Sequence, residues 1–552
     1  MTTFRRGVAV FATGLAIMLL LPAAATHATG APSYQVHRIG VYGGEPSITS
    51  DGNGLLYSTY LNKQSVYRST DKGSSWSLRT VPDPTTGDDC VATDQSNAVY
   101  WCNLNGSAST VPLQADVWKS TDQGQTWKMG QNAVNEGTVC STSCIPFGVD
   151  RQWVDAYIPP GGTTDTAEVV LFYHDFYGPS HVWVNISTDG GKTFGTPQDI
   201  LLSLNALGSP SGPTAVLDSA CSTVPTGVKI VKSGPHKGRI YTSWLAADPS
   251  SFLTGCNFTQ AQAFHNLIVA WSDDGGASWT PEVAYDAGNF HDASSPFAAF
   301  TLDNQGNPYI GFVNNLNWTV ACSVPANTTP DSSCEYDTYV VWSPDAGASW
   351  KGPFKVNSST GTHWFPAIAA GDPGKVDLAW LETSTVVPTG PNGKDWPGMC
   401  FPTGGCTNTN QWFLWAGQSL DLGSTSPTWA LTKITASPMH VGDICNLGIA
   451  CPPSFSNRHL ADFIMETVDP QGCAHIAYAD DQTTHEVDSA DQVSGSCVLA
   501  AAVTTPTPPM PTTSTAPPNL TAASHGWVPL ALVIAGVLAG LLWRAGRRRG
   551  EA

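Results

Sequence analysis

One short pattern, Ser-x-Asp-x-Gly-x-x-Trp or its Phe variant, recurs along this chain and limits what it can fold into. It stands at Ser69–Trp76, Ser120–Trp127, Ser187–Phe194, Ser272–Trp279 and Ser343–Trp350. A stretched sixth copy keeps Ser419, Asp421, Gly423 and Trp429 in order, with three extra residues before the Trp. The copies start 51, 67, 85, 71 and 76 residues apart. Five intact copies, each after the same kind of segment, predict a repeat architecture. The residue types suit a hairpin turn. Asp71, Asp122, Asp189, Asp274 and Asp345 can each accept hydrogen bonds from the turn's own N–H groups, and the Gly can adopt φ > 0. The aromatic opens the next strand, where it can wedge into a neighbouring core.

Between the motifs the same order repeats: an alternating apolar strand, a turn rich in Asp, Asn and Gly, a second apolar strand, and a third leading into the motif. Pro46–Asp51, Leu55–Tyr60 and Ser65–Arg68 form the first instance, and Phe297–Leu302, Tyr309–Val313 and Tyr339–Trp342 the fifth. Phe365–Ala369, Val376–Trp380 and Trp412–Trp415 form the sixth. A seventh unit, Leu460–Val468 and Ala474–Tyr478, has no motif. Period-2 alternation and regularly spaced turn residues argue strands throughout. The expected fold is all-β, a propeller of four-stranded blades, seven rather than six, with Tyr34–Tyr42 closing the last blade.

The recurrent turns resemble the Asp-box (BNR) repeats of the sialidase superfamily, which close hairpins in propeller blades. That resemblance implies a sialidase-like propeller over residues 32–502. It also implies a glycosidase site with three arginines that hold a substrate carboxylate, a Tyr nucleophile activated by Glu, and an Asp acid/base. The stretch matching the family's first Arg motif is Gly43-Gly44-Glu45-Pro46, which puts Gly44 at the Arg position. Asn62–Val66, matching the acid/base loop, has no carboxylate, and Leu460 stands where the Tyr would be. The ordinary sialidase set is therefore not found.

The ends of the chain predict export and anchoring. Residues 1–31 read as a signal peptide, with Arg5 and Arg6 before the apolar run Gly7–Leu21. Residues 503–524 read as a Pro/Thr-rich stalk, 525–545 as one transmembrane helix, and 546–552 as a basic cytoplasmic tail. These features predict a single-pass protein of the cell membrane with the propeller outside the cell. The formal charge is −19. Signal and tail hold six Arg and one Glu, so the rest carries 19 basic and 43 acidic residues, net −24. Such a surface argues against nucleic acid as a partner. The 14 cysteines suggest disulfides in an exported chain. Consecutive pairing would join Cys90 to Cys102, Cys140 to Cys144, Cys221 to Cys256, Cys322 to Cys334, Cys400 to Cys406, Cys445 to Cys451 and Cys473 to Cys497.

Residues leading the first strand of each blade face the mouth of a propeller's channel. Candidates for acid/base chemistry there are Glu45, Asp150, Asp292 and Asp462, with Asp89 beside them. Candidates for gripping a ligand are Arg151, Trp153, His291, His363, Trp364 and Arg458. Arg151–Asp155 and Arg458–Asp462 could instead be salt bridges that tie strand starts together. His291, His363, His440 and Asp443 give a weak metal pattern, so no metal or other cofactor is assigned, while acidic loops leave room for structural Ca²⁺. Three functions stay open. One is a glycan- or polymer-binding surface module, one an exo-acting glycoside hydrolase with a non-standard acid/base set, and one a structural scaffold. Oligomeric state is not legible.

Overall fold

The computed structural model describes residues 30–500 outside the segments 41–42, 62–64, 81–85, 106–113, 132–148, 176–180, 202–222, 247–263, 289–290, 295–296, 323–331, 387–408, 443, 445–457 and 483–485. The expected signal peptide, stalk, membrane span and tail lie outside the described residues. Among the described residues no helix is long and apolar enough to cross a membrane.

Seven antiparallel sheets form a closed ring. Blade 1 comprises Ser47–Ser50, Leu56–Thr59, Ser65–Ser69 and Ser77–Thr80. Blade 2 comprises Thr86–Thr93, Val99–Asn105, Gln114–Ser120 and Lys128–Met129. Blade 3 comprises Val149–Tyr157, Glu168–Asp175, Val182–Ser187 and Gln198–Asp199. Blade 4 comprises Thr223–Ile230, Ile240–Ala246, Asn266–Ser272 and Thr280–Asp286. Blade 5 comprises Ala299–Leu302, Pro308–Asn314, Asp337–Trp342 and Lys351–Lys355. Blade 6 comprises Thr362–Ala370, Val376–Thr383, Gln411–Ser419 and Ala430–Lys433, with His440–Val441 as an added short strand. Blade 7 comprises Met465–Val468, Ala474–Asp480 and Glu486–Ser494, and its outer strand is Ser33–Gly40 from the start of the chain.

The closing strand pairs antiparallel with Glu486–Ser494, placing Tyr34 opposite Gln492 and Val36 opposite Ala490. The expected N-terminal closure is therefore present, and the blade number is seven rather than six. The seventh unit starts later than its sequence suggests. Residues 458–462 form a turn, with Ala461 N–H donating to the Arg458 carbonyl, and the strand begins only at Met465.

Each recurrent motif folds as the hairpin between the third and fourth strands of its blade. In the first, Ser69 Oγ donates to Asp71 Oδ1 at 2.8 Å and accepts from Gly73 N at 2.9 Å. Asp71 in turn accepts from the Ser75 amide at 2.9 Å and from its hydroxyl at 2.6 Å. The same network recurs at Asp122, Asp189, Asp274 and Asp345, and in the stretched copy Asp421 takes its bonds from Thr428. The aromatic that ends each motif packs into the layer between its own blade and the preceding one. Trp127 joins Tyr57 and Val66 of blade 1, Phe194 joins Val117 of blade 2, and Trp279 joins Val184 of blade 3. The core is thus divided into seven inter-blade layers, six of them stitched by these aromatics; the layer between blades 6 and 7 has none. Burying one such ring contributes roughly 1.5–3 kcal/mol.

Three of the seven expected disulfides fall within the described residues, and all three are formed: Cys90–Cys102, Cys322–Cys334 and Cys473–Cys497. The other eight cysteines lie outside the described residues. The first strands of all seven blades line a central channel of about 640 Å³. First-to-second and third-to-fourth strand hairpins occupy one rim. The second and third strands of each blade, and the fourth strand and the next blade's first, have their facing ends at the other rim.

Candidate functional site at the channel mouth

At that second rim, residues just before or within the opening residues of the first strands depart from regular β geometry. Glu45, Arg151, Phe365 and Ala461 have φ of 50°, 51°, 51° and 57°. A left-handed conformation costs a side-chain-bearing residue about 1–2 kcal/mol. In blade 3 the register against the second strand jumps from Asp150 to Trp153, so the bulge at Arg151 breaks the side-chain alternation.

The bulge turns Arg151 across the mouth. Its Nη1 donates to Glu45 Oε2 at 2.8 Å and its Nη2 to Asp462 Oδ2 at 3.0 Å, with Asp88 Oδ2 3.4 Å away. One guanidinium therefore joins blades 1, 2, 3 and 7. Its plane lies over two rings, with Cζ 4.6 Å from the centroid of Phe297 and 5.3 Å from that of Phe463. Trp153 packs beside Phe463 at 5.5 Å, and these three aromatics also line the channel. Arg458 is paired with Asp462 through both of its terminal nitrogens, and its Nη2 is 3.7 Å from Glu45 Oε1.

Gly44 makes this closeness feasible. A β-carbon there would fall 2.8 Å from that of Ala461 and 3.0 Å from the Leu460 carbonyl carbon. Position 44 has no room for a side chain, and the guanidiniums at the mouth belong to Arg151 and Arg458. Leu460 is itself buried in the core.

The carboxyl groups occupy unlike environments. Burial drives Glu45 well above the ordinary carboxylate range, Arg151 opposing and Asp88 and Asp462 adding to the rise. Burial also pushes Asp88 up to about 6 against the pull of Arg151. Burial works the same way on Asp462, but Arg458 and Arg151 outweigh it and hold that group below its usual range. Asp150 is likewise held low: burial is overcome by His174 and Arg151. His174 Nε2 lies 4.0 Å from Asp150, and the Arg151 amide donates to Asp150 Oδ1 at 2.9 Å. Burial thus raises Glu45 and Asp88 while Asp462 and Asp150 are held low, so unlike carboxyls stand side by side.

The structure brings Glu45, Asp150, Arg151, Trp153, Arg458 and Asp462 together. It gives the remaining candidates other partners. Asp292 is fully buried and holds its own turn, accepting from Phe264 N and from the Ser294 amide and hydroxyl. His291 Nδ1 faces the Asn315 carbonyl. His363 is sealed between the Tyr336 carbonyl, Ser359 and Glu382, and Trp364 is buried against Tyr336. Asp89 accepts from Thr59 Oγ1, so Asp88 is the blade 2 carboxylate that faces Arg151. The suggested Arg151–Asp155 salt bridge is not formed. The bulge separates the two faces, and Asp155 accepts from Lys232 Nζ and Ile230 N. The Arg458–Asp462 bridge is formed. His440 pairs with Asp481, Asp443 lies outside the described residues, and among the described residues no group of three or more His, Cys, Asp or Glu is placed to hold a metal ion. Asp88, Phe297 and Phe463 were not anticipated, because a bulge leaves no mark on period-2 alternation and both Phe residues read as ordinary core.

No family model matches the sequence, and no curated protein matches it. Among solved structures the chain is similar to an ulvan lyase of polysaccharide lyase family PL25, at 12% identity and TM-score 0.43, over 86% of this chain and 98% of that one. It is similar to a GH74 enzyme of Niastella koreensis at 15% identity and TM-score 0.41, over 82% and 55% of the two chains. It is also similar to the sialidase of Trypanosoma rangeli at 10% identity and TM-score 0.37, over 84% and 60%.

Proposed function

We propose that this chain is a recognition module: an extracellular propeller of the Asp-box type, held at the cell membrane by its C-terminal apolar run, that binds a glycan or another extracellular polymer at the Arg151 mouth. The observation that carries the reading is the convergence of Glu45, Asp88 and Asp462 on two guanidiniums, with Glu45 and Arg151 at left-handed φ. Strain of this kind persists where the surroundings over-determine it, and ligand sites are such places. Carboxylates that are spaced around a rigid guanidinium are suited to bind sugar hydroxyls, and the arginines fix their positions rather than contact the ligand first.

A glycan array probed with the full-length protein tests this. Binding to a defined polymer that Glu45→Gln and Asp150→Asn both weaken at least about tenfold supports it. An array with no specific binding removes it.

A hydrolase is the second reading, and it is favoured by the opposite shifts of Glu45, raised by burial, and Asp462, held low by Arg458 and Arg151. One group would give a proton to a leaving oxygen while the other stabilised the opposite face. Turnover of aryl glycosides that both Glu45→Gln and Asp462→Asn abolish would establish hydrolysis in place of binding alone.

A further inference from the structure

We propose that the ligand taken at this mouth carries positive charge, and that it is an amine-bearing polysaccharide rather than an acidic one. The proposal rests on the reading of the mouth as a ligand site and adds the ligand's chemical class.

The arginines have little left to give. Arg151 has Glu45 on Nη1 and Asp462 with Asp88 on Nη2, and Arg458 spends both terminal nitrogens on Asp462. A uronate or sialate carboxylate would meet guanidinium edges already held by Glu45 and Asp462, and displacing either would be costly. Displacement would strand a buried carboxyl without its partner. The two arginines therefore act as internal counter-ions.

The carboxyl groups, in contrast, are in surplus. Among the described residues at the mouth, Asp88, Asp150 and Asp462 outnumber Arg151 and Arg458 even with Glu45 counted as neutral. The side chains of Asp88 and Asp150 are 18% and 22% exposed, so they are the charges an arriving ligand meets. Beneath them Glu45 is 1% exposed, and its Oε1 has no hydrogen-bond partner. Arg458 Nη2 is 3.7 Å from that oxygen, beyond hydrogen-bond reach. A buried acceptor left unsatisfied is unfavourable, and a donor from a ligand would relieve it. The whole chain adds to the local field, since its formal charge is −19. Local and long-range fields therefore have the same sign, and both favour a cationic partner. Phe297 and Phe463 lie under the Arg151 guanidinium, and Trp153 packs against Phe463, so apolar rings rather than further cations back the carboxyl cluster.

Four probes of matched length test this with the full-length protein: a chitosan oligosaccharide with free amines, its fully N-acetylated counterpart, an oligogalacturonate and an oligolysine peptide. Binding is read by biolayer interferometry at pH 6, where the chitosan amines carry charge, in 50 and 300 mM salt. The expected result is chitosan binding at least about tenfold tighter than the N-acetylated oligomer, no oligogalacturonate binding, and an affinity that falls with salt. Asp88→Asn and Asp150→Asn should each weaken chitosan binding severalfold; the salt dependence of the unmodified protein gives the same information should either variant fail to fold. Equal binding of the N-acetylated oligomer, or preference for oligogalacturonate, overturns the charge assignment and leaves the ligand-site reading standing. Binding of oligolysine alone overturns the polysaccharide assignment. Binding of none of the four overturns this inference, and the glycan array then decides the broader reading separately.

Discussion

Arg151 Nη1 donates to Glu45 Oε2 at 2.8 Å, a contact between two residues 106 positions apart that links blade 3 to blade 1 across the channel. Both side chains are buried, so the bond lies in a medium where an unpaired charge is costly. Arg151→Met should therefore destabilise the propeller by about 3–5 kcal/mol, the usual effect of removing one partner from a buried ion pair. Adding Glu45→Gln to that variant should recover part of the loss, because the stranded acid disappears. Denaturant melts of the three proteins check this; no difference between the single and double variants would contradict it.

Gly73, at φ 87°, packs flat against blade 7, and a β-carbon there would fall 2.1 Å from both carboxylate oxygens of Asp491. Gly275 sits at φ 68° in the corresponding turn of blade 4, with nothing within 4 Å of such an atom. Gly275→Ala should thus cost only the conformational penalty, about 1–2 kcal/mol. Gly73→Ala should cost clearly more, since it also displaces Asp491 from His37, His475 and Ser489. Paired melting temperatures give the comparison.

Two buried acids at the seam of blades 6 and 7 make stability depend on pH. Burial pushes Asp377 up to about 7 and drives Glu466 well above its ordinary range, with Asp377 adding to the latter. Gln418 donates to Asp377 Oδ1 at 3.0 Å, and Tyr34 of the closing strand faces both acids. An unfolded chain releases these protons near pH 4. Between about pH 4 and 7 the folded state therefore holds more protons than the unfolded one, and stability falls as pH rises. Asp377→Asn with Glu466→Gln should flatten that fall and raise the melting temperature at pH 8. Calorimetry between pH 5 and 8 reads it directly.

His475 contributes in the same direction. Burial opposes its charged form, but Asp469 and Asp491 outweigh it and raise its pKa. The stabilisation is fully present below the ordinary histidine value of about 6.5 and is lost as pH rises through the raised one. An imidazole titration by NMR should place His475 above a model histidine, and His475→Gln should lose stability most at acid pH.

Much of the ring was legible because its turns repeat. The Ser-x-Asp-x-Gly-x-x-Trp spacing fixes a hydrogen-bond network within eight residues, and local chemistry of that kind is written in the sequence. Closure by residues near Tyr34 followed from the leftover apolar segment. The mouth was legible only in part. Glu45, Arg151, Arg458 and Asp462 could be nominated from strand starts, but the choice of Asp89 over Asp88 and of Asp155 as Arg151's partner assumed unbroken alternation. The register jumps at Asp150–Trp153 and Thr86–Asp89 invalidate that assumption. His363 and Trp364 carry chemistry-bearing side chains at a strand start, yet Tyr336 and Glu382 enclose them in the core.

The strand Ser33–Gly40 is among the first parts of the propeller to be synthesised, and its partner Glu486–Ser494 is among the last. A growing or translocating chain must therefore keep this strand unpaired until some 450 further residues have emerged. Six blades can form their own sheets in the meantime, while the seventh waits for both ends of the chain. Premature termination anywhere before residue 486 would leave Ser33–Gly40 as a lone strand and blade 7 with an open edge, a template for pairing with another molecule. Completion of the ring is thus a checkpoint for a full-length product, imposed by topology alone.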